Sequence, residues 1–243
     1  MSTMQPITGT ATGGTIRAVL FDYSGTLFHL KRGEHLLGPV LAQMHPRPPA
    51  TEIKALVDRL TRARAGTLPT PPAPAEILYA YQGRHLDPWL HRRAYTWWLR
   101  TTGPMRLELA DQIYDRVVDP HAWQPYPDTD AALRRVKAAG RPIAVLSNIT
   151  FDIRPAFAHH HLETLVDQMV LSFEERLAKP DPAVFHIACD RLGIAPSETV
   201  MIGNNPDEDG GILDIGGRYI GVDRLTNRRR ALLAAVTAAL GEA

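Results

Sequence analysis

Three segments of the chain share one pattern, an apolar, β-branched-rich run that ends in small or polar residues. They are IRAVLFDYSGT (16–26), PIAVLSNIT (142–150) and TVMIGNNPDEDGG (199–211). Continuous apolar runs without alternation predict strands buried on both faces, as in a parallel sheet. MVLSF (169–173) and RYIGVD (218–223) predict two further, weaker strands. Amphipathic helices are predicted between them: DTDAALRRVKAAG stops at Gly140 and PDPAVFHIACDRLG at Gly193. Strand–helix–strand alternation from about residue 130 onward implies right-handed βαβ units.

Residues 31–125 break that pattern. They carry amphipathic helical stretches (ATEIKALVDRLTRAR, LHRRAYTWWLRTTG, ELADQIYDRVV) and a proline-rich joint, TLPTPPAPAE, with no run that predicts a buried strand. The expected organisation is a core made of 15–30 and 126–243, interrupted by a wholly helical cap over 31–125. Ligands of open α/β sheets bind beyond the carboxyl ends of the strands. An insert leaving from that end of the first strand is therefore expected to act as a lid.

Composition narrows the function classes. The 243 residues are 44% hydrophobic and 22% charged, as in ordinary globular proteins. No apolar run approaches the ~20 residues that span a bilayer. MSTMQPITGTATGG, residues 1–14, lacks the features of a secretory signal and is expected to be a disordered leader. A cytoplasmic protein without membrane partners is expected. A net charge of +1 argues against a nucleic-acid partner. Cys189 is the only cysteine, which excludes an intrachain disulfide, and its helix predicts a buried inert thiol. The lysines are only Lys31, Lys54, Lys137 and Lys179, so each merits separate weight.

Four places carry candidate chemistry. Asp22 ends the first strand, where a carboxylate can be a covalent nucleophile or merely cap a turn. Ser147 and Asn148 follow the next strand and make either a phosphate-binding corner or an N-cap. Lys179 stands just before a helix, where the dipole disfavours a cation unless something else needs its charge. Asn204, Asp207, Glu208 and Asp209 form a glycine-flanked acidic loop that suits Mg²⁺ or is an acidic surface turn.

In this order the four elements resemble the haloacid dehalogenase (HAD) superfamily, with FDYSGTLF, VLSN, AKPDPAVF and IGNNPDED at the motif positions. The resemblance covers most of 16–30 and 128–224 and implies an α/β, Rossmann-like parallel-sheet core with a helical cap. It implies that Asp22 is the nucleophile, that Lys179 balances charge, and that Thr26, Ser147 and Asn148 shape the turn and hold the transferring group. It also implies an Mg²⁺ site made of Asp22, the Ser24 carbonyl, Asn204 and Asp209. Two positions depart from the pattern. Ser24 stands where phosphatases of the family carry a second Asp as general acid/base, and Asn204 replaces the first acid of the fourth motif. A serine hydroxyl is a poor acid, and that assistance is worth ~10²–10⁴ in rate.

The expected activity is an Mg²⁺-dependent phosphatase, as a monomer or homodimer, for a small phosphorylated metabolite. The first alternative is a metal-independent 2-haloacid dehalogenase, whose halide departs unprotonated and which fits both departures. A phosphonate hydrolase would need a Schiff-base lysine from the insert, Lys31 or Lys54, and a degenerate binding protein would not require Asp22. His159, His160 and His161 are consecutive and cannot converge on one ion from a helix, since neighbours point ~100° apart. Tyr95, Trp97 and Trp98 are expected in the cap core, and RLTNRRRALL (224–233) as a solvated helix start.

Overall fold

The computed structural model describes residues 15–44, 49–64, 72–101, 107–223 and 230–241. The expected leader, part of the proline-rich joint and most of the arginine-rich run lie outside those residues. The chain divides into two compact units, one reaching His29 and resuming at Gln124, the other formed by Leu30–Trp123.

The strands in chain order are β1 (Ala18–Phe21), β2 (Phe28–Leu30), β3 (Trp123–Pro125), β4 (Ile143–Ser147), β5 (Gln168–Leu171), β6 (Thr199–Gly203) and β7 (Arg218–Gly221). The helices of the Leu30–Trp123 unit are α1 (Glu34–Gln43), α2 (Ala50–Arg64), α3 (Ala75–Gly83), α4 (Pro88–Thr101) and α5 (Leu107–Val118). Those of the other unit are α6 (Thr129–Ala138), α7 (Arg154–His159), α8 (Ser172–Glu175), α9 (Pro182–Leu192), α10 (Pro206–Asp209) and α11 (Ala231–Leu240).

Five strands form one parallel sheet in the order β5-β4-β1-β6-β7. The long apolar runs of the sequence are its three central strands, and the two weaker ones are its edges. Burial follows from helices on both faces. Leu20, Ala144, Leu146, Val170 and Met201 pack against Val184, Phe185 and Ala188 of α9. Their neighbours Val19, Phe21, Val145, Val200 and Ile202 alternate to the opposite face and are equally inaccessible. There α6 and α11 pack beside one another. Because parallel strands of the second and third runs flank β1 on either side, the ends of β1, β4 and β6 come together.

The helix ends follow the sequence signals. Asp181 caps α9 by accepting the Ala183 N–H at 2.9 Å, with Pro182 at its first position. Gly193 closes it in the left-handed region at φ 66°, and Cys189 inside it is buried and free. The start of α11 is capped from elsewhere in the chain. Buried Asp128 accepts the Leu232 and Leu233 N–H groups at 2.9 and 3.2 Å.

The Leu30–Trp123 unit packs Leu37 and Leu41 of α1, Ile53 and Leu56 of α2, Leu99 of α4, and Ala110 and Ile113 of α5 into one core. Tyr95, Trp97 and Trp98 are half-buried at its margin, so aliphatic side chains fill the centre that the sequence suggested for aromatics. His91 Nδ1 meets the Tyr114 hydroxyl at 2.8 Å, and burial, with Arg84 nearby, pushes its imidazole down to about 4. β2 and β3, a two-stranded ribbon where the chain passes between the units, are strands absent from the sequence expectation. Runs of three residues are too short to show a period. Among the described residues no helix is long and apolar enough to cross a membrane.

Replacing Asp128 by Ala leaves two buried N–H groups without an acceptor. A loss of roughly 1–3 kcal/mol is expected, with part regained in Asp128→Asn, measured by urea denaturation.

Candidate active site

Asp22 follows β1 directly, and a tight turn over 22–28 sets its direction. The Tyr23 carbonyl accepts the Leu27 and Phe28 N–H groups at 3.1 and 2.9 Å, and the Gly25 N–H returns to the Phe28 carbonyl at 2.8 Å. The Tyr23 ring is buried against Phe28, 4.9 Å away and stacked, and against Phe157. With Tyr23 fixed in the core, alternation turns Asp22 the other way. Gly25 has φ 89°, and a Cβ there would lie 2.7 Å from the Asn204 side-chain amide. The turn therefore needs glycine for both conformation and space.

The structure places the Lys179 ammonium between two carboxylates, 2.8 Å from Asp22 Oδ1 and 2.6 Å from Asp209 Oδ1. All three side chains are buried. Asp209 is the last residue of α10, the short helix after β6, and its Oδ2 accepts the Asn205 N–H at 3.0 Å. It lies so close over Gly203 that a Cβ there would be 2.0 Å from its Oδ2. Burial alone would lower the Lys179 pKa, but the two carboxylates together outweigh it and hold the amine charged. Asp22 is raised as well. Burial, aided by the Asp209 charge and opposed by Lys179, raises it to about 6.

Thr26 and Asn204 complete the surroundings of Asp22. The buried Thr26 hydroxyl donates to Asp22 Oδ2 at 3.1 Å. Asn204 faces three acceptors, so its amide nitrogen points inward. It lies 3.1 Å from Asp22 Oδ2, 3.0 Å from the Ser24 carbonyl and 3.1 Å from Thr26 Oγ1. The Ser24 side chain itself is exposed.

With the Asn204 nitrogen turned inward, this donor set does not fit Mg²⁺. A cation at the expected site needs lone pairs from Asp22, the Ser24 carbonyl and residue 204 together. Here an amide N–H₂ takes both of the first two, and the fourth residue, Asp209, is engaged by Lys179 and a backbone N–H. Asp207 is exposed and so does not substitute for a buried acid. Among the described residues no group of three His, Cys, Asp or Glu could hold a metal, which also covers His159, His160 and His161.

Asn148 takes a different position from the expected one. Its Oδ1 accepts the Lys179 N–H at 2.8 Å, and its Nδ2 donates to the Lys179 carbonyl at 2.9 Å and to Glu208 Oε2 at 3.1 Å. Both amide hydrogens are used within the protein, which leaves the side chain no donor for a substrate. Ser147 is buried at the end of β4, beside the end of β1. Sequence reasoning gave Glu208 no part beyond an acidic loop. Its only signal was a place beside Asp209. The insert lysines supply no free amine, since Lys31 Nζ donates to the His121 carbonyl at 3.0 Å and Lys54 pairs with Asp58 at 2.6 Å.

A family model for haloacid dehalogenase-like hydrolases matches residues 16–213. The chain belongs to this family. It is 33% identical over 146 residues to (S)-2-haloacid dehalogenase 1 of Pseudomonas sp. (strain CBS-3), covering 59% of this chain and 63% of that protein. It is 30% identical over 147 residues to (S)-2-haloacid dehalogenase 4A of Burkholderia cepacia, covering 59% and 62%. These alignments span just under two thirds of the relatives. The fold is shared with a crystal structure of a dehalogenase in an intermediate complex, at TM-score 0.63 and 23% identity, covering 89% of this chain and 88% of that one. The chain is thus a hydrolase of the HAD superfamily with the expected α/β fold. The expected phosphatase activity is overturned: these relatives are haloacid dehalogenases.

If Asp22 is the attacking group it must be ionised, and kcat/KM should then fall about tenfold per pH unit below about 6 and level off above it. A pH–rate profile in which activity persists unchanged well below that value excludes Asp22 as the attacking base form.

Proposed function

We propose that the protein is a metal-independent hydrolytic dehalogenase for small 2-haloacids, with Asp22 as the nucleophile. The observation that carries this reading is the Asn204 amide on Asp22 Oδ2 and the Ser24 carbonyl. It supplies hydrogen-bond donors where a phosphatase of this family would place its ion. The matched (S)-2-haloacid dehalogenases support the substrate class. The Leu30–Trp123 unit is proposed to be the helical cap of the family.

The two oxygens of Asp22 have different roles. Oδ2 receives Thr26 and Asn204, whereas Oδ1 receives only Lys179. Of the four lone-pair directions of the carboxylate, the free one is therefore on Oδ1. Oδ1 attacks the carbon bearing the halogen, the carbon–halogen bond breaks, and halide departs with its electron pair and no proton. An ester to Asp22 results. Water then adds to the Asp22 carboxyl carbon. Negative charge develops on Oδ2, already faced by the Thr26 hydroxyl and the Asn204 amide, which act as an oxyanion hole. The bond from the carboxyl carbon to Oδ1 breaks, and Oδ1 leaves as the hydroxyl of a 2-hydroxyacid. Lys179 stands at Oδ1 to stabilise and protonate it. One water hydrogen ends on that hydroxyl, directly or through Lys179, and the other is released as a proton. The exposed Ser24 needs no role, because halide is expelled unprotonated.

Chloride release from (S)-2-chloropropionate should be the same with EDTA as with Mg²⁺, and Asp22→Asn should abolish it without unfolding the protein. In H₂¹⁸O, with enzyme in excess, the first product should carry ¹⁶O from Asp22, and later turnovers ¹⁸O. Mg²⁺-dependent turnover of phosphate esters with no halide release refutes the assignment.

A further inference from the structure

We infer that Glu208 is a positioning residue, which holds the Asn148 amide as a brace on the Lys179 peptide and thereby keeps the ammonium between Asp22 and Asp209. The role rests on the proposed dehalogenation only for its kinetic readout. The geometry is local and complete. Asn148 brackets the Lys179 peptide with one accepted and one donated hydrogen bond, at 2.8 and 2.9 Å. These two bonds already favour one orientation, because a turned amide would set its oxygen against the Lys179 carbonyl and its nitrogen against the Lys179 N–H. Glu208 reinforces that orientation from a third side. Its Oε2, 3.1 Å from Nδ2, accepts only from the nitrogen end and repels the oxygen end.

The consequence falls on Lys179. Its side chain is long, and among the described residues its two carboxylate partners hold the ammonium at the far end. Holding its peptide limits where the chain can start. The brace also joins three loops of the sheet's carboxyl edge, those following β4, preceding α9 and following β6. Glu208 lies next to Asp209, so one short helix, α10, delivers both the acid that meets the ammonium and the acid that sets the brace. Asn148 is in this account a protein contact and not a substrate contact, and the two assignments differ in what they predict for KM.

The test compares Glu208→Ala, Glu208→Gln and Asn148→Ala with wild type, using two readouts. One is the rate at which Lys179 is acetylated by acetic anhydride in the native protein, read by mass spectrometry; it needs no substrate. The other is chloride release from (S)-2-chloropropionate. In wild type Lys179 is buried and should be protected. Glu208→Ala and Asn148→Ala should label several-fold faster and lose about 10- to 100-fold in kcat with KM within a factor of about two, as misplacement of a catalytic group predicts. Glu208→Gln keeps an acceptor oxygen and should restore both values to near wild type. Circular dichroism checks that each variant is folded, and if Glu208→Ala is not, the Gln and Asn148 variants decide. Unchanged protection and kcat in both Ala variants overturns the brace. So does a rise in KM alone for Asn148→Ala, which would make it a substrate contact. If wild type releases no chloride, the dehalogenase assignment fails while the labelling still decides the brace.

Discussion

The ammonium of Lys179 between Asp22 and Asp209 is the interaction on which the rest of the site depends. Charged groups this deeply buried are costly to desolvate, and removing one partner of such a pair typically destabilises by about 3–5 kcal/mol because a charge is left uncompensated. Each member reaches the cluster from a different part of the chain: Asp22 from the end of β1, Lys179 from the loop before α9, and Asp209 from the loop after β6. Their meeting requires β1 at the centre of the sheet with β6 beside it. It also requires Gly203 to leave room for the Asp209 carboxylate. Sheet order and side-chain chemistry are thus parts of one constraint.

The cluster also explains an apparent conflict between its two partners. An ion pair should lower the pKa of its acid and raise that of its base. Lys179 behaves so, but Asp22 is raised. The ammonium is shared by two carboxylates, and only part of its stabilisation reaches Asp22. Burial and the Asp209 charge take the remainder back. A carboxylate raised in this way is more basic, and therefore more nucleophilic once ionised, than a solvated one.

Much of the fold was legible because the physics that builds it is local. Uninterrupted runs such as AVLF and IAVLS announce strands covered on both faces, and Gly140 and Gly193 mark helix ends through a conformation that few other residues adopt. Asp22 and Lys179 were legible through motif order. The parts that sequence did not yield depend on orientation. As a letter, Asn204 is a metal ligand short of one charge; only its placement shows two N–H groups directed at Asp22 and the Ser24 carbonyl. Asn148 likewise follows a strand as a substrate-binding residue would, and its closure on a peptide 31 positions away is a tertiary fact. The sequence carried both departures that favour a dehalogenase. Weighing them against an acidic loop required knowing that Asp209 faces an ammonium and that Asp207 faces solvent.

Charge explains why a family that includes phosphatases can use nearly the same residues for a different leaving group. Two carboxylates and one ammonium leave the cluster with a single negative charge when Asp22 is ionised. A phosphate monoester would bring about two more, and in phosphoryl transfer that charge is ordinarily neutralised by a metal ion. An amide in the position of the ion contributes dipoles but no net charge, so a phosphoryl group would remain repelled. A 2-haloacid is a milder guest. Its reacting carbon is neutral, its single carboxylate lies one bond from that carbon, and halide carries charge away as it leaves. Replacing one acid by Asn204 thus does more than weaken a metal site. It converts the oxygen it touches, Asp22 Oδ2, from a ligand into an acceptor of hydrogen bonds, which is what hydrolysis of the proposed Asp22 ester would use.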